Sequence, residues 1–239
     1  MKKRQRTRLA MIFTSFLLFP VTMFYLSPAL IIIGAARGVV TGSLIAFGAM
    51  FVLSLVAGRA FCGWVCPGAG IQEACFMIQD RPVRKGNWIK YLIWVPWISV
   101  ILAMFVIHGL NEVDPLFGIK YGISMGEPQN YIIFYFFLAL FMILSIAVGR
   151  RSFCHHVCWM APFMVLGRKA RNLFAWPSLK LKAEPAVCRQ CHLCDRHCPM
   201  SLGVESMVLK GDMENSECIL CGSCIDHCNA GAVRYGFFR

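Results

Sequence analysis

Residues 188–199 read CRQCHLCDRHCP and residues 218–229 read CILCGSCIDHCN. Both follow C-x2-C-x2-C-x3-C. At this spacing three near thiolates wrap one four-iron, four-sulfur cube, and the fourth, set apart by the longer gap, reaches a second cube. The pattern therefore assigns Cys188, Cys191, Cys194 and Cys228 to one [4Fe–4S] cluster, and Cys218, Cys221, Cys224 and Cys198 to another. Pro199 closes the first run as the pattern expects, whereas Asn229 stands in the matching place of the second. Four thiolates can also hold Zn²⁺, but two tandem x2-x2-x3 runs favour clusters. His192, His197 and His227 fall inside the runs. Because thiolates already complete each set, these histidines are expected beside the clusters or in solvent, not as ligands.

Thirteen cysteines in all leave five others: Cys62, Cys66, Cys75, Cys154 and Cys158. Four of them form two Cys-x3-Cys pairs, in GRAFCGWVCP (58–67) and GRRSFCHHVCWMAP (149–162). Positions i and i+4 share a helix face, so both thiols of a pair can point at one target. Pro67 disfavours helix at Cys66, so the first pair is expected at a helix end. Arg59, Arg150 and Arg151 would favour thiolates and offset the negative charge of a cluster. Cys62, Cys66, Cys154 and Cys158 are thus candidate ligands of a third iron–sulfur cluster. The plainer alternative is that they are small buried hydrophobes, and Cys75 is read that way.

The elements that carry these motifs are apolar. The chain has 239 residues, of which 58% are hydrophobic and 15% charged, a balance outside the range of ordinary soluble domains. Four candidate membrane spans stand at about 9–33, 38–57, 88–108 and 131–149, each near the ~20 residues a bilayer core requires. Pro20 and Pro28 are expected to bend the first. Its apolar run is too long for a cleaved signal sequence and reads as a retained anchor. Residues 1–179 hold 17 Lys and Arg against 5 Asp and Glu, and residues 180–239 hold 7 against 7. The excess charge therefore flanks the spans and leaves no basic patch on the cysteine-rich part, which argues against a nucleic-acid partner. Lys and Arg concentrate before the first span, in the 58–90 loop and after the fourth. That placement puts both termini and all the cysteine motifs on the cytoplasmic side of an inner, multi-pass membrane protein. The spanning segment with its Phe-Cys-x-x-Val-Cys sequel occurs twice in one orientation, so a pseudo-twofold along the membrane normal would bring the two pairs face to face. The expected fold class is an α-helical membrane protein of about four transmembrane helices (1–179) followed by a small α+β bacterial-type two-cluster ferredoxin domain (180–239). A 60-residue unit of that kind needs metal staples to be stable.

GRAFCGWVCPGAGIQE, the second Cys-x3-Cys, the apolar segments and the two-cluster tail together resemble the NapH/NosR-type membrane ferredoxins, over nearly the whole chain. The second pair departs from the family's C-x3-C-P, since Trp159 follows Cys158 and proline comes only at Pro162. The resemblance implies quinol-linked electron transfer for a respiratory reductase, as a possible quinol dehydrogenase subunit and electron-transfer component, not a stand-alone enzyme. Some relatives instead help assemble, maintain or reduce a partner metalloenzyme, and that is the alternative function.

The leading expectation is a conduit. Electrons would pass between the quinone pool in the lipid bilayer and a redox partner protein, through the Cys62/Cys66/Cys154/Cys158 site and the tail clusters. Glu73 and Asp80, or His108, Glu112 and Asp114 at the opposite side, are candidates for quinone-coupled proton transfer. A b-type haem lacks a facing histidine pair in the spans, and a transporter lacks ionisable residues there. No glycine-rich phosphate loop opens a helix, so no bound flavin or NAD is expected.

Overall fold

The computed structural model describes residues 2–83 and 85–238. Its first segment is α1 (Lys3–Leu17), followed after Leu18 by α2 (Phe19–Thr22) and a 3-10 turn at Phe24–Leu26. Ser27 is extended, at φ −84° and ψ 123°, as a residue before proline prefers. Its hydroxyl accepts from the Leu30 N–H, and Pro28 opens α3 (Pro28–Ala35). The span expected over 9–33 is therefore not one helix. Broken backbone within an apolar body needs other hydrogen-bond partners, and here two indoles donate: Trp159 Nε1 to Leu26 O (3.1 Å) and Trp97 Nε1 to Pro28 O (3.3 Å).

The chain continues through β1 (Val39–Thr41), α4 (Gly42–Ala57), α5 (Ala60–Trp64) and α6 (Pro67–Ala74). After these come α7 (Ile89–His108), β2 (Glu112–Asp114), α8 (Asn130–Ala147), α9 (Ser152–His156) and α10 (Ala161–Leu173). The tail comprises β3 (Ser178–Ala183), α11 (Leu193–Arg196), α12 (Val204–Leu209), α13 (Ser223–Asp226) and β4 (Val233–Phe238). The protein is largely α-helical, with two small two-stranded sheets: β1 lies parallel to β2, and β3 antiparallel to β4 with Ser178 opposite Phe238. Where four spanning helices were expected, two described helices are long and apolar enough to cross a bilayer, α7 with 20 residues and α8 with 18. At 16 residues, α4 is apolar but shorter, because Thr41 caps its start and Gly58, at φ 55°, ends it.

The loops sort to two ends. At one, β1 pairs with β2, and α2 and the turn after it bond to Ser124 and Met125. At the other, the start of α1, the short helices α5, α6 and α9, and the tail come together. Small residues let the helices close there. A Cβ on Gly70 would lie 2.7 Å from Phe16 Cβ, where α6 meets α1, and one on Gly167 would lie 1.8 Å from Ser54 Oγ, where α10 meets α4.

Candidate metal centres at the cysteine clusters

The two Cys-x3-Cys pairs adopt the same turn. Cys62 and Cys154 each sit third in a five-residue helix, α5 and α9. The chain then curls so that Cys66 N donates to Phe61 O (2.9 Å) and Cys158 N to Phe153 O (3.0 Å). Gly58 (φ 55°) and Gly149 (φ 130°) precede these turns in conformations that favour glycine. All four thiols are buried. Burial, then Cys62, Cys154 and Cys158, push the Cys66 thiol well up, and burial, then Cys154 and Cys62, push Cys158 up to about 12. The structure thus brings Cys62, Cys66, Cys154 and Cys158 to one place, while Cys75 is buried without a cysteine among the groups that move it.

Two matched arginines flank this quartet. Arg59 and Arg151 precede Cys62 and Cys154 by the same interval, and both are fully buried. Arg59 Nη1 donates to Glu217 Oε2 (2.9 Å), which Lys90 Nζ also meets at 2.6 Å. Arg151 donates to Glu73 Oε1 and to Cys62 O (2.8 Å). Arg8 joins Glu73 through both guanidinium nitrogens, at 2.7 and 2.8 Å. Burial alone would depress Arg59 and Arg151, but Cys62 and Glu217 in one case, and Glu73 and Cys154 in the other, hold the guanidiniums charged. Arg59 Nε and Nη2 and Arg151 Nε nonetheless have no partner. Four thiols beside unpaired, permanently cationic donors suit an anionic iron–sulfur group. Burial also drives His155, beside Cys154, down to about 3, which leaves its ring neutral.

In the tail, Cys188, Cys191, Cys194 and Cys228 line one cavity, and Cys198, Cys218, Cys221 and Cys224 line another. Burial and Asp195 push Cys194 up to about 11, and burial and Cys221 push Cys198 up to about 12. Ala232 N donates to Cys228 Sγ at 3.2 Å. A tetrahedral zinc with bonds of about 2.3 Å would draw sulfurs to within about 4 Å of one another. Among the described residues only His192, Asp195 and Glu205 place three ligating atoms within 4.8 Å of one another; no trio of sulfurs does. The four thiols of each set line one cavity without closing on a single point. His192 is exposed, with Nδ1 2.7 Å from Glu205 Oε2. His197 and His227 stack at 3.6 Å between ring centroids, so each histidine before a fourth cysteine meets its counterpart.

A narrow apolar cavity adjoins the quartet of Cys62, Cys66, Cys154 and Cys158. Cys66, Cys154 and Cys158 line it together with Phe19, Phe141 and Trp159. Gln72 reaches it from α6, donating from Nε2 to Cys154 Sγ (3.4 Å) and to Gly68 O (2.8 Å), while its buried Oε1 accepts from no group. Gln72 lies inside the GAGIQE stretch but was not singled out from the sequence, because only its depth and its missing partner distinguish it. Of the expected proton-handling groups, Glu73 is locked between two arginines and Asp80 pairs with Arg150. His108 ends α7, and Glu112 and Asp114 lie in β2, at the end where β2 pairs with β1.

The family model described as "4Fe-4S binding domain" matches residues 39–85 and 130–183, and that described as "4Fe-4S dicluster domain" matches residues 180–229. An uncharacterized protein of Methanocaldococcus jannaschii is 28% identical, over 91% of this chain and 81% of its own length. The regulatory protein NosR of Pseudomonas aeruginosa is 28% identical over 71% of this chain, which matches 24% of NosR. The methylamine utilization ferredoxin-type protein MauN of Methylobacillus flagellatus is 26% identical over 69% of this chain and 55% of its own. No solved structure matches. Matched cysteine turns, two four-thiol cavities and these likenesses agree, and the chain is similar, at a distance, to NosR, NirI, MauN and YccM and to two 4Fe-4S family models.

Proposed function

We propose that the protein is a membrane-embedded electron conduit between quinol and a redox partner. The observation that carries this reading is the apolar cavity beside Cys66, Cys154 and Cys158, lined in part by Gln72, whose buried Oε1 accepts from no group. A quinol presents what such a wall lacks: an aromatic ring for the phenylalanines and a hydroxyl to donate to Gln72. [4Fe–4S] clusters, when bound, supply one-electron transfer. The tail would hold two of them on Cys188, Cys191, Cys194 and Cys228, and on Cys218, Cys221, Cys224 and Cys198. Cys62, Cys66, Cys154 and Cys158 would hold a third. Beside that third set the Arg59 and Arg151 guanidiniums hold positive charge next to the buried sulfurs, and the surrounding aromatic side chains exclude water.

The α1–α2 run and α4 cross the bilayer in this reading along with α7 and α8. Leu17 and Leu18 on the first, and Val52 and Leu53 on the second, point outward as lipid-facing residues would. Both termini then lie in the cytoplasm. Reduction of the clusters in membranes by added quinol tests the conduit. Gln72→Leu is expected to abolish that reduction while dithionite still reduces the protein. Clusters indifferent to quinol would instead favour the accessory role in maintaining a metalloenzyme.

A further inference from the structure

The two tail thiol sets are docked unequally. Four side chains from the apolar part bind backbone carbonyls of the loop 215–221. Gln5 Nε2 donates to Cys221 O (3.1 Å), Trp64 Nε1 to Leu220 O (3.0 Å), Arg59 Nη1 to Ser216 O (2.9 Å) and Arg168 Nη1 to Cys218 O (3.0 Å). Gly63, next to Cys62, meets this loop without a side chain of its own. A Cβ on Gly63 would stand 2.3 Å from Ile219 O and 3.5 Å from Cys221 Cα, so the two cysteine loops meet backbone to backbone. Among the described residues, no side chain before β3 hydrogen-bonds the 188–194 loop. Its cysteines are the more open ones: Cys191 is exposed and Cys188, Cys194 and Cys228 are half-buried, whereas in the other set only Cys218 is half-buried and Cys198, Cys221 and Cys224 are buried.

We infer that Cys198, Cys218, Cys221 and Cys224 form the inner set, joined to the membrane-edge cysteines through Gly63, and that Cys188, Cys191, Cys194 and Cys228 form the outer set, whose rim is the contact face for a redox protein with an acidic surface. The rim carries exposed Pro185, Val187 and Leu209, flanked by exposed Arg189 and Lys210. Its carboxylates are mostly engaged: Glu184 with Arg234 (3.7 Å), Glu205 with His192, and Asp195 with the Glu205 N–H (2.8 Å). Asp212 is the exposed exception, and its Oδ1 accepts from Glu214 N. Apolar contacts flanked by two cations, Arg189 and Lys210, neither in an ion pair among the described residues, favour a partner that is anionic at this point.

The inference rests on the conduit reading, yet its test uses protein reduced with dithionite and needs no quinol. A soluble dysprosium chelate should speed relaxation of one tail EPR signal, that of the outer set. Trp64→Phe and Gly63→Ala should shift the other signal and leave the first unchanged, with iron content held as the control for folding. If the chelate and the substitutions act on the same signal, the inner and outer assignment is overturned. Arg189→Glu with Lys210→Glu should slow oxidation by ferricyanide roughly tenfold at low salt and speed oxidation by hexaammineruthenium(III), both effects vanishing at high ionic strength. Unchanged rates with both oxidants would overturn the acidic-partner face. Failure of quinol to reduce the clusters, with these outcomes intact, would count only against the conduit.

Discussion

Glu73 and Glu217 are each a single carboxylate set between two buried cations, and their energetics are felt one residue at a time. Burial by itself would raise the Glu73 carboxyl, but Arg151 and Arg8 hold it below its ordinary range. Its stabilisation is therefore present above the unfolded value, about 4.3, and is lost as pH falls through the lower folded value. Glu73→Gln leaves two guanidiniums without their anion and should cost about 3–5 kcal/mol, the penalty of breaking a buried pair. Thermal unfolding in detergent should show that loss near neutral pH and a shrinking difference from the parent protein in acid. Cys62→Ser bears on the other residue-scale question. With clusters in all three thiol sets, anaerobic protein should hold about 12 Fe per chain, and the variant about 8. Iron already near 8 in the parent would mean that the membrane-edge thiols only pack.

At the scale of elements, close helix approach depends on positions without side chains. Gly167→Leu would drive α10 from α4 against both Ser54 Oγ and the Phe51 carbonyl, 2.9 Å from the added Cβ. Overpacking of this kind costs about 1–3 kcal/mol. Because α10 begins just after Cys158, the same variant should lose iron from the membrane-edge site before the tail, which iron analysis alongside EPR would resolve. The break between α2 and α3 is the other decision at this scale. Proline and the cap at Ser27 stop the helix, and Trp159 supplies a donor to the freed Leu26 carbonyl. Trp159→Phe should keep the ring and lose that bond, costing about 1–2 kcal/mol and loosening the cavity wall next to Cys158. A change in quinol-dependent reduction larger than the change in stability would place its effect in the cavity.

For the whole molecule, the start of α1 does more than flank a membrane segment. Arg4 lies 3.3 Å from Asp226, Gln5 reaches Cys221 and Asp226, and Arg8 reaches Glu73, so the first helix clamps the tail onto the helical body. Removal of residues 1–8 should free the tail, seen as faster proteolysis between α10 and β3 and as loss of magnetic interaction between tail and membrane-edge signals. A reporter fused after residue 238 should be active only in the cytoplasm if α1–α2 and α4 both cross the bilayer. Activity outside would require an odd number of crossings.

Much of the chemistry was legible without coordinates. Thiolate spacing is local, and C-x2-C-x2-C-x3-C restricts which sulfurs can share a guest before any packing is known. The repeated Phe-Cys-x-x-Val-Cys likewise implied one turn used twice, and the backbone of α5 and α9 has that form. Hydropathy located α7 and α8 but overcounted uninterrupted spans, because an apolar run records solubility and not where proline and capping groups end a helix. Contacts between residues far apart in the chain came only from the tertiary structure. Gly63 against Ile219, Glu217 between Arg59 and Lys90, and the lone acceptor of Gln72 beside Cys154 have no signature at short range, since each depends on which surfaces meet after folding.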